Sequence, residues 1–295
     1  MRNCSAGETR ATRPLVFQSD FGHADGAVSA MYGVAYSVCG SLRISDLTHE
    51  IQPFDIWEAS YRLIQTVGYW PAGTVFVSVI DPGVGSHRRC IAAETTDGQY
   101  IITPDNGTLT HMKAQGRIKR VRIIDGDKNR LPGSSESYTF HGRDIFAFTG
   151  ARLAAGIVSF EEIGPETDPS TVVTLPVVEP VFDGESITGT VDVLDIRFGS
   201  LWTNIPRELF NRLGIRPGER VDVHIENRGR TVYRTGLVYA HSFADAYVGE
   251  ALVYINSLDS VAVAINQGSF ARAYNIGTGI AWTITLKRPS ASGRD

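Results

Sequence analysis

The chain has 295 residues, with 28 Lys+Arg against 32 Asp+Glu and a formal net charge of −4. Hydrophobic residues are 42% and charged residues 20%, the balance of a globular chain long enough for one large domain or two ordinary ones. A mildly acidic chain without a basic block has no electrostatic footprint for nucleic acid or an anionic membrane, and no apolar run reaches the ~18 residues of a membrane span.

Three cysteines, Cys4, Cys39 and Cys90, form no CxxC pair. Neither a disulfide framework nor a cysteine zinc site is expected, and a reduced, cytoplasmic setting fits. The segment MRNCSAGETRATRP lacks the apolar stretch of a signal peptide. Residues 1–13 and 289–295 read as tails.

Order is expected from Leu15, where Leu15-Val16-Phe17 runs into Ser19-Asp20-Phe21-Gly22, a strand followed by turn chemistry. Val28, Met31, Ala35 and Val38 lie on one face of a helix that Gly40 is expected to stop. A strand over 42–47 precedes a helix after Pro53, with Asp55 as its cap. Thr74 to Ile80 is rich in β-branched residues and nearly all apolar, the pattern of a strand buried on both faces. Strands over 91–95 and 100–103 flank Asp97-Gly98, and helical sequence returns over 143–155. This alternation predicts an α/β domain with a largely parallel sheet over residues 14–170. The Pro-rich stretch from Pro165 reads as linker, with 171–184 as the connection proper. Residues 185–288 then show short strands at 187–194, 221–225, 231–239, 251–255 and 261–265, with one short helix over 206–213. That pattern predicts an all-β, barrel-like C-terminal domain.

Ligands of open parallel sheets bind beyond the strand carboxyl ends. Three acidic, glycine-containing turns are expected there: Ser19 to Gly22, Asp81 to Arg88, and Pro104-Asp105-Asn106-Gly107. Asp20 has the chemistry to accept two hydrogen bonds from a ribose diol, or to cap the following helix. Gly83 to Arg88 reads GxGxxR, lacks the third glycine and precedes a strand, so it is no dinucleotide loop. The 7 histidines show no metal-ligand spacing. Phe140-His141-Gly142-Arg143-Asp144 opens a helix and suits an anion or an oriented water, or plain capping. In the second half, Asp195 to Asn204, with Phe198, Gly199 and Trp202, suits stacking of a planar ring, and Asn266 to Arg272 forms a second polar loop. Either alone reads better as a hairpin turn.

Taken together, these motifs resemble the S-adenosyl-L-methionine hydroxide adenosyltransferase family, relatives of the fluorinase and chlorinase, from about Leu15 to Leu286. The resemblance implies an α/β domain, a β-barrel domain, and a homotrimer with sites between subunits. It implies an Asp–Arg–His set at Asp81, Arg88 and His141. It implies a ribose contact at Asp20, contacts to the methionine end at Asp195 and Ser200, and aromatic contacts at Phe54 and Phe198. The loop Ser269 to Arg272 matches the adenine-facing segment. Phe21, Asn106, Phe140 and Gly142, inside the matched motifs, complete the expected binding set.

The implied reaction is attack of an activated water on C5′ of S-adenosyl-L-methionine, giving adenosine and L-methionine without metal or cofactor. Whether Asp81 or His141 takes the proton stays open. The fluorinase pattern carries tyrosine, threonine and serine where this chain has Asp81, Val84 and Gly142, and the chlorinase pattern also lacks the aspartate. A carboxylate at Asp81 repels a halide 4 Å away by ~1 kcal/mol in water and several more in a drier site, which disfavours halogenation. A non-catalytic nucleoside-binding protein is the alternative of another class, although a pure binder has no use for a water-activating set.

Overall fold

The computed structural model describes residues 12–289, so nearly all of the expected tails lies outside the described residues. The chain divides into two compact units, one ending at Leu175 and the other beginning at Pro176.

The first unit is built on β1 (Leu15–Ser19), β2 (Ile44–Thr48), β3 (Val75–Val79), β4 (Cys90–Thr95), β5 (Tyr100–Pro104), β6 (Ile118–Ile123) and β7 (Glu166–Thr167). They form one sheet in the order β2-β1-β3-β5-β4-β6-β7. The pairs β1–β2, β1–β3 and β3–β5 are parallel, and β4 and β6 add antiparallel strands. Side chains alternate across a strand. Leu15 and Phe17 therefore pack with Val75, Val77, Met31 and Phe146 on one face. Val16 and Phe76 pack with Leu63, Ile101 and Leu109 on the other. With both faces covered, β1 and β3 are buried along their whole length.

Helix α1 (Ala27–Val38) ends at Cys39, whose extended backbone (φ −157°) breaks it one residue before the expected Gly40. Helix α2 (Ile56–Thr66) starts where expected, with Asp55 accepting from the Glu58 backbone N–H at 2.8 Å. A short helix, α3 (Thr110–Ala114), follows β5. The helix expected over 143–155 begins as a π-helical turn, Gly142–Ala147, and continues as α4 (Phe148–Ala154). π turns recur at functional sites because they re-aim side chains.

The second unit comprises β8 (Val181–Phe182), β9 (Ser186–Leu194), β10 (Leu201–Pro206), β11 (Arg220–Asn227), β12 (Arg230–Tyr239), β13 (Ala251–Ile255), β14 (Ser260–Ile265) and β15 (Gly279–Lys287). The order β10-β14-β13-β12-β11-β15-β9-β8 closes through β9–β10 into a seven-stranded barrel. Closure removes the exposed sheet edge. Ile187, Val191, Leu201, Val223, Val263 and Ile284 fill its core. Two short helices, α5 (Arg207–Asn211) and α6 (Phe270–Tyr274), complete it.

The stretch Pro165 to Pro169, read from sequence as linker, carries β7, paired with β6. Its turn residues flank a pairing only two residues long. The loop expected at 195–204 gives way to β10 from Leu201, because Leu201 and Trp202 pair with both β9 and β14. Likewise α6 begins inside the polar loop expected at 266–272, capped by Ser269, which accepts from the Arg272 N–H at 3.3 Å.

Candidate active site

Asp81 follows the carboxyl end of β3, and Arg88 returns from the next turn to meet it. Arg88 Nε donates to Asp81 Oδ1 at 2.8 Å and Nη2 donates to Oδ2, a two-point pairing. The turn between them closes tightly against the segment before His141. Gly85 has φ +78°, and a β-carbon there would stand 2.8 Å from the Tyr138 carbonyl oxygen, so glycine is required. The paired side chains are nearly dry, 5% exposed for Asp81 and 9% for Arg88.

His141, at the N-terminal boundary of the π turn, brings Nδ1 to 3.1 Å from Arg88 Nη2. Arg88 Nη1 donates to Cys90 Sγ at 2.8 Å, and its guanidinium carbon lies 5.2 Å from the Phe146 ring centroid. Burial foremost, then the neighbouring guanidinium groups, hold His141 below the ordinary histidine range. The expected set of Asp81, Arg88 and His141 is thus one contiguous cluster of carboxylate, guanidinium and neutral imidazole.

Asp20 lies beyond β1. Its Oδ2 accepts from the Phe54 backbone N–H at 2.9 Å, while Asp25 Oδ1 accepts from Ala27 N–H at the start of α1. The side-chain contact at the start of α1 is thus made by Asp25, one residue before the N-cap Gly26, and Asp20 instead receives the Phe54 N–H. Phe54 has φ +70° and a ring 70% exposed. A bulky residue in the left-handed region stores strain that clusters at functional sites. Phe21 packs edge-on against Phe140 (centroids 5.8 Å apart), and Gly142 sits against the Phe21 ring. Asn106 is turned to support: Nδ2 donates to the Ile80 carbonyl at 2.8 Å, and Oδ1 accepts from Thr108. It braces the residue before Asp81.

In the second unit, Asp195 Oδ1 accepts from the Arg197 and Phe198 N–H groups, and the Asp195 N–H donates to the Ser200 carbonyl. This turn presents the Phe198 ring, 70% exposed, and buries Ser200. Gly199 has φ +67°, and a β-carbon there would overlap Ser269 Oγ. The Ala271 N–H donates to the Gly199 carbonyl at 3.0 Å. Asp195, Phe198 and Ser200 thus form one patch with Ser269, and Arg272 lies exposed on the short helix that Ser269 caps.

Sequence reasoning missed two groups. Arg130 Nη2 stands 3.4 Å from His141 Nε2. Ser19, His49 and Asp46 are linked beneath Asp20: Ser19 Oγ to His49 Nδ1 is 2.6 Å, and His49 Nε2 to Asp46 Oδ1 is 3.0 Å. No spacing signal marks either group: Arg130 lies 11 positions from His141, and Ser19 lies 30 from His49. No cluster of three or more His, Cys, Asp or Glu side chains suited to a metal occurs among the described residues, and no described helix is long and apolar enough to cross a membrane.

A dry carboxylate–guanidinium–imidazole set beyond the carboxyl end of a parallel sheet has the place and the chemistry of a candidate enzyme active site. Residues 15–164 match the SAM hydroxide adenosyltransferase N-terminal domain and residues 189–283 its C-terminal domain; the chain belongs to that family. A protein named (R)-S-adenosyl-L-methionine hydrolase from Salinispora tropica is 37% identical over 275 residues, covering 92% of this chain and 97% of that one. A fluorinase from Actinopolyspora mzabensis is 28% identical over 300 residues, covering 93% and 98%. The crystal structure of an uncharacterized conserved protein from Thermotoga maritima superposes with a TM-score of 0.83 at 32% identity, covering 93% of this chain and 100% of that one.

Proposed function

We propose that the protein hydrolyses S-adenosyl-L-methionine to adenosine and L-methionine, and that, as the relatives' name suggests, the (R) form is its substrate. The observation that carries this reading is the buried pairing of Asp81 with Arg88, held against His141. The sulfonium of the substrate makes methionine a neutral leaving group, so the chemistry lacks only a nucleophile. Each Asp81 oxygen keeps a lone pair beyond its bond to Arg88, and one of them accepts a proton from water. The Arg88 guanidinium stabilises the hydroxide character that develops, in a dry site where such charge stabilisation is strong. His141 holds the Arg88 Nη2 edge. Asp20 grips the ribose diol, which fixes C5′ about 3–3.5 Å from the water in the near-attack arrangement. In this reading Phe54 and Phe198 contact the nucleoside, Asp195 and Ser200 the methionine end, and the Ser269 to Arg272 loop the adenine. No resident cofactor or metal is required by this displacement. A homotrimer in the cytoplasm is the expected setting, and sedimentation equilibrium measures the first part.

The test is incubation of the purified protein with S-adenosyl-L-methionine in ¹⁸O-water containing chloride and fluoride, followed by mass spectrometry. Adenosine labelled at the 5′ oxygen is the expected product. Bound but unchanged substrate would establish a binding protein instead, and a 5′-halo nucleoside would overturn the role given to Asp81.

A further inference from the structure

One imidazole stands between two guanidinium groups. Arg88 Nη2 lies 3.1 Å from His141 Nδ1, and Arg130 Nη2 lies 3.4 Å from Nε2. Arg130 is anchored: its Nη1 donates to the backbone carbonyls of Ser134 (3.2 Å) and Ser137 (3.0 Å). That same segment carries the Tyr138 carbonyl that Gly85 approaches. Arg130 is thus built into the turn facing Asp81 and Arg88.

The donor arithmetic is restrictive. A guanidinium has donors only, and a neutral imidazole has one N–H and one lone pair. One arginine contact is therefore a hydrogen bond, and the other meets the ring N–H in either tautomer. An imidazolium has no lone pair, so protonation would remove the remaining bond and place a third cation between two. The nearby carboxylates are already engaged by arginines. Asp81 accepts from Arg88 through both oxygens, and Asp144, in the π turn, accepts from Arg143 at 2.7 and 3.1 Å. Cys90, on β4, accepts from Arg88.

We infer that Arg130 is a positioning residue of the active site: with Arg88 it holds His141 in the neutral form, so that the imidazole keeps its one lone pair for an arginine donor and the proton of the attacking water goes to Asp81. The inference rests on the hydrolytic reading above. In the step, the water O–H bond breaks toward Asp81, the new O–C5′ bond forms, and the C5′–S bond breaks with its electron pair left on the methionine sulfur. The direction of the His141 shift, set by burial, Arg88 and Arg130 against weaker opposition from Asp81 and Asp144, agrees with this geometry.

The experiment compares wild type with Arg130→Met and Arg130→Lys in the full chain. His141 ring resonances, assigned by their loss in His141→Gln, are followed by ¹H–¹⁵N NMR against pH, and kcat/KM is measured over the same range. In wild type the imidazole stays neutral through the ordinary histidine midpoint of about 6.5. In Arg130→Met the midpoint moves up from its wild-type position while burial and Arg88 still hold it down, and one pH unit below that midpoint kcat/KM stands about tenfold under its own plateau. Arg130→Lys behaves as wild type. If the methionine variant does not fold, Arg130→Gln, which keeps donors for the Ser134 and Ser137 carbonyls, makes the same comparison. Superimposable His141 titrations in wild type and variant, or a wild-type midpoint already near 6.5, overturn the inference. The NMR titration needs no substrate, so failure of the clamp is distinguishable from failure of the hydrolase reading.

Discussion

Ser19 Oγ lies 2.6 Å from His49 Nδ1, and the His49 backbone carbonyl accepts from Gly22 N–H at 2.8 Å, so one residue straps both ends of the turn that carries Asp20. Donors and acceptors follow in one direction. Tyr32 O–H and His49 Nε2–H donate to Asp46, Ser19 O–H donates to His49 Nδ1, and Phe21 N–H donates to Ser19 Oγ. The trio has the composition of a hydrolase triad, but Ser19 and His49 are buried and the serine lone pairs are turned to the backbone. It is a brace. Ser19→Ala is expected to keep turnover within about tenfold, where loss of a true nucleophile would cost far more. His49→Ala leaves Ser19 and Asp46 short of partners and is expected to cost about 1–3 kcal/mol of stability. Its KM should rise more than its kcat falls. Thermal melts and steady-state kinetics check both.

Removing the proton acceptor separates chemistry from folding. Asp81→Asn keeps the shape and one acceptor oxygen, and is expected to bind substrate while kcat falls by about 10²–10⁴. Arg88→Met instead strands the Asp81 carboxylate in a site where both side chains are nearly dry, which costs about 3–5 kcal/mol. Calorimetric binding with chemical denaturation distinguishes the two variants. Full turnover in a folded Asp81→Asn protein would sink the assignment.

A β-carbon on Gly142 would stand 3.2 Å from Phe21 Cζ and 3.2 Å from Val79 Cγ1. Gly142→Ser, which introduces the serine of the fluorinase pattern, is therefore expected to overpack this contact by about 1–3 kcal/mol. It should not yield 5′-fluoro product, because the Asp81 charge remains. Fluorine NMR of the reaction mixture reads this directly.

Phe54 is held at φ +70° by its own N–H bond to Asp20, with its ring exposed. Phe54→Gly relieves the backbone strain, so stability should hold or rise slightly. Loss of the ring should raise KM for S-adenosyl-L-methionine by about tenfold, the scale of one aromatic contact. Unchanged KM would remove Phe54 from the binding site.

His111, on α3, is pushed down to about 4 by its burial against α2. The unfolded chain binds this proton near pH 6.5 and the folded chain does not until about pH 4. Stability is unaffected above pH 6.5 and falls as pH drops through that window, by up to about 3 kcal/mol. His111→Gln should flatten this part of the stability curve, as urea unfolding at pH 4.5 and 7.5 will reveal.

The order of elements was legible from the chain because hydrophobic period is a local property. The β-branched run through Val75–Val79 and the i, i+3, i+7 spacing of α1 need no partner to be recognised. The same holds for the motif strings around Asp20, Asp81 and His141, whose ordered set pointed to one family. What the chain could not display was β10, which is a strand because β9 and β14 flank it, and the two-residue pairing of β7.

The site divides along the same line. Residue types and their order determined that a carboxylate, an arginine and a histidine were available. Tertiary structure alone decided that Arg88 pairs both Asp81 oxygens, that Asn106 braces Ile80 while Asp20 accepts from the Phe54 N–H, and that Arg130 meets the far side of His141. The reason is physical. Hydrogen bonding and desolvation depend on separations of a few ångströms between residues up to 53 positions apart, and no local pattern in the chain encodes that distance.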